Sequence, residues 1–317
     1  MKFTPCDNLT AVTEFVLKGL SSIPEHQIGL FVLFLAMYVT MLVGNGIIIS
    51  VTALDARLHT PMYYFLRNVS FVDICFTSTT VPKMLADLLS TSKTISFIGC
   101  ITQLFFFLFI GNTESFLLAV MAYDRYVAIC NPLHYSTTMT AKVCAVSVVA
   151  SWVLSFIHSL LYSVMASYLP FYGSNIIHHF FCDLPPLLRL SCGDTSTYEH
   201  VIFIEGSLVL MTTFLIILAS YIHIISTILK VCSLDGRWKT FSTCSSHLAV
   251  VVLFYGTLIF MYFRPTSMYS LDYDRVVSVM YTAVSPMLNP FIYSLRNKEV
   301  KGALKNVLGN KDFKFRI

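Results

Sequence analysis

Apolar residues dominate seven stretches of the chain, at about 27–54, 61–85, 98–129, 143–165, 201–231, 241–263 and 276–295, with more polar segments between them. A helix crosses a bilayer with about 20 largely apolar residues, so each stretch is long enough to span. The third exceeds that length and must tilt. No stretch alternates strictly between apolar and polar, which disfavours a β-barrel. After the seventh, Val300, Leu304, Val307 and Leu308 recur at helical spacing with Lys298, Lys301 and Lys305 between them. That pattern predicts a short amphipathic helix on an anionic inner leaflet. The expected architecture is an all-α membrane protein: an outer tail (1–26), a seven-helix bundle (27–296), and a cytoplasmic amphipathic helix and tail (297–317).

Composition removes the alternatives. Of 317 residues 56% are hydrophobic and 12% charged, against about 25% charged in soluble domains. Neither a water-soluble globule nor a disordered chain fits. A net charge of +4 with nine Cys argues neither for nucleic acid nor for a disulfide scaffold. Thirteen of the 21 Lys and Arg fall on the side of the C-terminus and seven on the other, with Arg67 inside the second span. This bias places the N-terminus outside and the C-terminus in the cytoplasm. Asn8-Leu9-Thr10 is a glycosylation sequon in the outer tail, whereas Asn68-Val69-Ser70 lies within a span. Residues 1–25 lack the apolar core of a cleavable signal, so the first helix is expected to direct its own insertion. Cys6, Cys100, Cys182 and Cys192 fall on the oxidising side, where three pairings are open.

Polar residues inside the spans are the first functional candidates, because burying them unpaired is expensive. Asp73, Glu114, Asn45 and Asn289 lie at similar depth in the second, third, first and seventh helices. Asp73 and Glu114, with Ser115, present oxygen ligands suited to Na⁺ or to a shared proton. The alternative is a hydrogen-bonded knot that only fixes packing. Asp124-Arg125-Tyr126, at the inner end of the third helix, reads as a breakable ion pair or as an interfacial anchor. His178-His179 and Cys182-Asp183 lack zinc-site spacing. Neither HExxH nor GxSxG occurs in a span, so no enzyme is expected.

The strings MAYDRYVAICNPLHY (121–135), LHTPMYYFL (58–66), KTFSTCSSHL (239–248), Ser220-Tyr221 and PMLNPFIYSLRN (286–297) resemble those of olfactory receptors, a branch of the rhodopsin-like G-protein-coupled receptors. HFFCDLPPLLRLSC (179–192) is similar to the second outer loop of the tetrapod type. The resemblance implies an odorant receptor that activates a heterotrimeric G protein of the stimulatory olfactory type and raises cAMP, in the plasma membrane of olfactory cilia. It assigns Asp124, Arg125, Tyr126, Asn289, Pro290 and Tyr293 to the G-protein switch, Cys100–Cys182 to a disulfide, and Asp73 with Glu114 to a Na⁺ pocket. Tyr172 stands where family members often place the first cysteine of a second loop bridge, which leaves Cys192 without its usual partner. Beyond Na⁺ no cofactor is expected.

The ligand follows from chemistry. The seventh span has no Lys, which excludes a retinal Schiff base, and the outer half of the third has no Asp to meet an amine. A small, mostly apolar, uncharged volatile is expected. Its pocket would draw on Leu108, Gly111, Asn112 and Ser115 of the third helix, Tyr255, Leu258, Ile259 and Tyr262 of the sixth, and Val279 and Thr282 of the seventh. Gly111 would make room and Asn112 would offer one hydrogen bond. Gly111 and Arg125 lie about 21 Å apart along the helix, so ligand and G protein must communicate through helix rearrangement. The rival from another class is a secondary transporter, which predicts repeated halves that the chain does not show.

Overall fold

The computed structural model describes residues 12–21, 23–192, 196–230, 234–262, 271–296 and 299–303. Its helices are α1 (Pro24–Leu54), α2 (Pro61–Leu89), α3 (Phe97–Cys130), the short α4 (Tyr135–Thr138), α5 (Ala141–Ser167), the short α6 (Leu184–Leu190), α7 (Ser196–Lys230), α8 (Leu234–Tyr262), α9 (Leu271–Val279) and α10 (Ser285–Arg296). A π-turn at Met280–Val284 joins α9 to α10 into one span. Starts are written in the sequence. Pro24 and Pro61 open α1 and α2, where a missing N–H costs nothing. The hydroxyls of Ser96 and Thr140 accept from the backbone N–H of Gly99 and Val143 at the heads of α3 and α5.

Six helices are long and apolar enough to cross a membrane by length and composition. The seventh, α2, has 29 residues but carries Arg67, Asp73, Lys83 and Asp87. It is affordable because Asp73 and Asp87 are buried against neighbouring helices and Lys83 pairs with Asp87. Outward-facing residues of α1, α5 and α7, such as Val32, Val39, Val153, Ile157, Leu215 and Ile222, are exposed where lipid would lie. α7 and α8 begin five and seven residues before the expected spans, because helix continues past the apolar run.

The pattern did not foretell a small sheet at the end of the bundle that holds the N-terminal tail, called outer below. β1 (Glu14–Leu17) pairs antiparallel with β2 (Thr94–Ser96), Phe15 opposite Ile95, and parallel with β3 (Ile176–Ile177), Leu17 opposite Ile177. Gly19 turns the chain away at φ 69°, a left-handed conformation that favours glycine. Phe15 and Leu17 are fully buried, and the Phe15 ring meets Phe171 edge-on at 5.2 Å. Each burial contributes roughly 1.5–3 kcal/mol. The tail is thereby a third layer of the outer cap, with the loops between α2 and α3 and between α5 and α7.

Within the bundle, α10 comes close to α1. A Cβ on Gly44 would stand 3.1 Å from the Pro290 ring, so any larger residue would push the two helices slightly apart. Pro290 has no N–H for the carbonyl of Pro286, and the Asn45 amide donates to that carbonyl at 3.1 Å. Asn45 and Gly44, adjacent in sequence, thus answer the two consequences of one proline.

Of the expected amphipathic helix, only 299–303 is described. Val300 and Ala303 are buried, and Tyr63 donates to the Glu299 carboxylate at 2.6 Å. Lys298, Leu304, Lys305, Val307 and Leu308 lie outside the described residues, as does Asn8.

Candidate ligand site and signalling core

The outer loop is fixed first. Cys100 and Cys182 form a disulfide with Cα atoms 5.5 Å apart. Cys192 is disulfide-bonded as well, while Cys6 lies outside the described residues. Cys75, Cys130, Cys144 and Cys244 are free. Beside the first bridge, Gln103 accepts from the Cys182 N–H at 2.9 Å and donates to the Thr79 carbonyl at 2.9 Å. One side chain thereby ties loop, α3 and α2 together. Below it the Phe107 ring sits 4.8 Å from Phe181 of the loop and 6.0 Å from Tyr281 of the π-turn. This aromatic lid roofs the interior between α3 and the seventh span.

His179 bridges the loop to α9: its Nε2 lies 3.1 Å from the Ser278 hydroxyl. Burial and the charge of Arg275 push its pKa down to about 3, so the ring is neutral at physiological pH. The unfolded ring binds a proton below about 6.5 and the folded one does not, so stability falls as pH drops through that value. At pH 5.5 the loss is about 1.4 kcal/mol. His179→Gln should remove this share of the acid sensitivity in thermal unfolding between pH 7.5 and 5.5. An unchanged pH slope would show that the ring does not titrate with folding.

The expected pocket residues separate into three directions. Ser115 and Tyr255 meet directly: both are buried, and the Tyr255 hydroxyl donates to the Ser115 carbonyl at 3.4 Å. Phe214 of α7 lies 5.5 Å from the Tyr255 ring. Leu108, Leu258, Ile259 and Val279 are half-buried against the same core, and Thr282 is buried with its hydroxyl on the Ser278 carbonyl. Gly111 faces α2 instead, where an added Cβ would come within 3.3 Å of Phe76. The room it makes is filled by that ring. Asn112 faces α5, its amide 2.9 Å from His158 Nδ1 and 3.5 Å from the Ser159 hydroxyl. The Tyr262 side chain lies outside the described residues. A cleft of about 110 Å³ opens at the outer end between the loop and the tops of α8 and α9, lined by His178, His179, Arg189, Met261 and Asp274 among others.

The central polar residues converge. Asp73 is fully buried, and the Asn289 amide donates to both of its oxygens at 3.0 Å. Glu114 is buried, and among the described residues its Oε2 has no hydrogen-bond partner; nor do Asn289 Oδ1, Thr77 Oγ1 and the Tyr293 hydroxyl. These are carboxylate, amide and hydroxyl oxygens, the donor set of a hard cation, and orphaned buried oxygens are what such an ion would satisfy. No group of three or more His, Cys, Asp and Glu placed to hold a metal occurs among the described residues.

At the inner end, Asp124 accepts from the Tyr135 hydroxyl at 2.8 Å, whereas Arg125 Nε lies 4.0 Å from its other oxygen. Tyr135 is the stronger partner, and the expected Asp124–Arg125 pair is loose. Nearby, the Tyr221 hydroxyl meets His247 Nδ1 at 2.8 Å, and His247 Nε2 lies 3.2 Å from the Leu118 carbonyl. This chain joins α7, α8 and α3. Sequence reading named neither Tyr135 nor His247 as functional, although both stand within the motifs it quoted. It weighed His179 only as a metal ligand, left Phe181 unremarked inside a quoted motif, and missed Phe107 and Gln103, which carried no signal beyond their own chemistry.

The olfactory receptor family model matches residues 34–311. Human olfactory receptor 1F1 is 55% identical over 96% of this chain and 98% of its own length. Rat olfactory receptor 1f45 is 55% identical over 95% and 96%, and human olfactory receptor 1C1 is 54% identical over the same shares.

Proposed function

Since the chain belongs to the olfactory receptor family, we propose that it detects a small, uncharged, mostly apolar volatile and raises cAMP through the stimulatory olfactory G protein. It is an odorant receptor of the G-protein-coupled class and not an enzyme. The observation that carries the ligand class is the Ser115–Tyr255 junction between α3 and α8, set in an aromatic and aliphatic interior whose α3 wall has no Asp in its outer half. A pocket of that kind selects by shape with one or two polar contacts. Ligand that fits better when α8 moves away from α3 would shift the bundle toward the active state, since only differential affinity shifts an equilibrium. The relatives lend the transporter reading no support.

The disposition of thiols supports an outside N-terminus: the disulfide Cys100–Cys182 lies at the end that carries β1, and free Cys130 lies at the opposite end of α3. On that orientation Arg125 would face the cytoplasmic side, and the location we propose is the plasma membrane of olfactory cilia. For the core we propose a Na⁺ held by Asp73 and Glu114, with Ser115 a further oxygen. The ion would neutralise a carboxylate that protein donors leave partly unsatisfied.

The test is a panel of volatiles against cAMP in cells that express the chain with the olfactory G protein. Neutral esters, ketones, alcohols and hydrocarbons should supply the agonists, and permanently charged amines none. A response confined to charged amines would overturn the ligand class; agonism without cAMP would overturn the G-protein assignment.

A further inference from the structure

A second cleft, of about 490 Å³, opens at the opposite end of the bundle from the odorant site. Its walls come from the end of α1 (Thr52, Ala53), the turn after it (Leu58, His59), the start of α2 (Tyr64, Arg67) and the start of α5 (Cys144, Ala145). None of its lining residues is acidic. Arg67 is the span residue that the charge count left without a side. It is half-buried, it stacks over the Tyr64 ring at 5.5 Å, and no carboxylate pairs with it among the described residues.

The contrast with Arg57 is informative. Asp55 accepts from the Arg57 guanidinium through both oxygens, and that contact holds the Asp55 carboxyl down to about 2. One basic residue of this corner is neutralised by protein, and the other faces an acid-free cleft. Arg67 lies six residues into α2, about 9 Å from its inner end. That is the depth of the phosphate layer, which a long guanidinium stem reaches while its methylenes stay in hydrocarbon.

We propose that this cleft is a binding site for one anionic glycerophospholipid of the cytoplasmic leaflet, its phosphate on Arg67 and its upper acyl chains along Leu58, Tyr64 and Ala145. Charge selects the occupant: an uncharged sterol leaves the guanidinium unmatched, a zwitterionic headgroup brings its own cation beside the phosphate, and a net anion matches the guanidinium best. The site closes a gap between α1, α2 and α5 without touching ligand or G-protein residues. It rests on the inside placement of this end proposed above. Nanodiscs offer both leaflets, so the test below does not depend on that placement.

The experiment is native mass spectrometry of the full chain released from nanodiscs of phosphatidylcholine doped with phosphatidylserine. Wild type should retain phosphatidylserine about fivefold over its share of the disc, the contribution of one basic residue near the surface. Arg67→Gln should bring retention to parity. Ala145→Trp, which keeps the charge and fills the cleft, should do the same and decides the matter if Arg67→Gln does not fold. Equal retention by wild type and either variant would overturn the site, as would equal retention of phosphatidylcholine or cholesterol by wild type.

Discussion

Arg125→Ala should abolish the odorant-evoked rise in cAMP, by roughly tenfold or more, while the receptor still reaches the cell surface. Tenfold corresponds to about 1.4 kcal/mol of coupling, within the ordinary range for linked sites. The geometry separates signalling from folding here. Arg125 is buried at the inner end of α3, yet its nearest acid, Asp124, lies 4.0 Å away and is already held by Tyr135 at 2.8 Å. A strong ion pair would sit near 2.8 Å. Removing the arginine therefore leaves Asp124 with its better partner, and little stability is lost. Tyr135→Phe is the counterpart: it releases Asp124 toward Arg125 and should raise the odorant concentration needed for half-maximal cAMP without abolishing the response. Odorant-driven cAMP unchanged in Arg125→Ala, at equal surface density, would remove Arg125 from the switch.

Asn289→Leu should cost about 3–5 kcal/mol, because it strips the amide donor from both oxygens of a fully buried carboxylate. Asp73→Leu in the same background should recover much of that loss, since an apolar pair of similar volume needs no donors. The two single variants and the double, measured by thermal unfolding of purified receptor, form the cycle. A double variant no more stable than Asn289→Leu alone would show that the Asp73 charge is not the cost. The same samples in Na⁺ or in N-methylglucamine test the proposed ion: Na⁺ should stabilise wild type and have no effect on Glu114→Gln. A Na⁺ effect that survives Glu114→Gln would place the ion elsewhere.

The bundle was legible in the chain because each span is a run of apolar residues longer than any soluble helix needs. Even α2, which falls short of the other spans in hydropathy, was readable as a largely apolar stretch of sufficient length, and the structure adds the pairing of Lys83 with Asp87. The direction of each side chain was not. A helix that is apolar all round, with lipid on one side and protein on the other, carries no amphipathic stripe, so spacing alone placed Gly111 and Asn112 toward the ligand. The structure turns them to Phe76 and His158. The polar core read better, because Asn45, Asp73, Glu114 and Asn289 have only one place to go in a bilayer. The π-turn at Met280–Val284 left no mark that single-residue pattern could show.

The outer sheet bears on the order in which the chain is made. β1 leaves the ribosome before any span, yet its partners Ser96 and Ile176 are 82 and 160 residues further along. On the proposed orientation the tail would cross the membrane and wait, with Phe15 and Leu17 bare, until four spans and about the first third of the second outer loop have followed it. Such distant pairing is slow and leaves sticky surface exposed meanwhile. A segment translated ahead of these seven spans is therefore among the last to settle, and during synthesis it is the natural hold for a chaperone on the side where the tail waits.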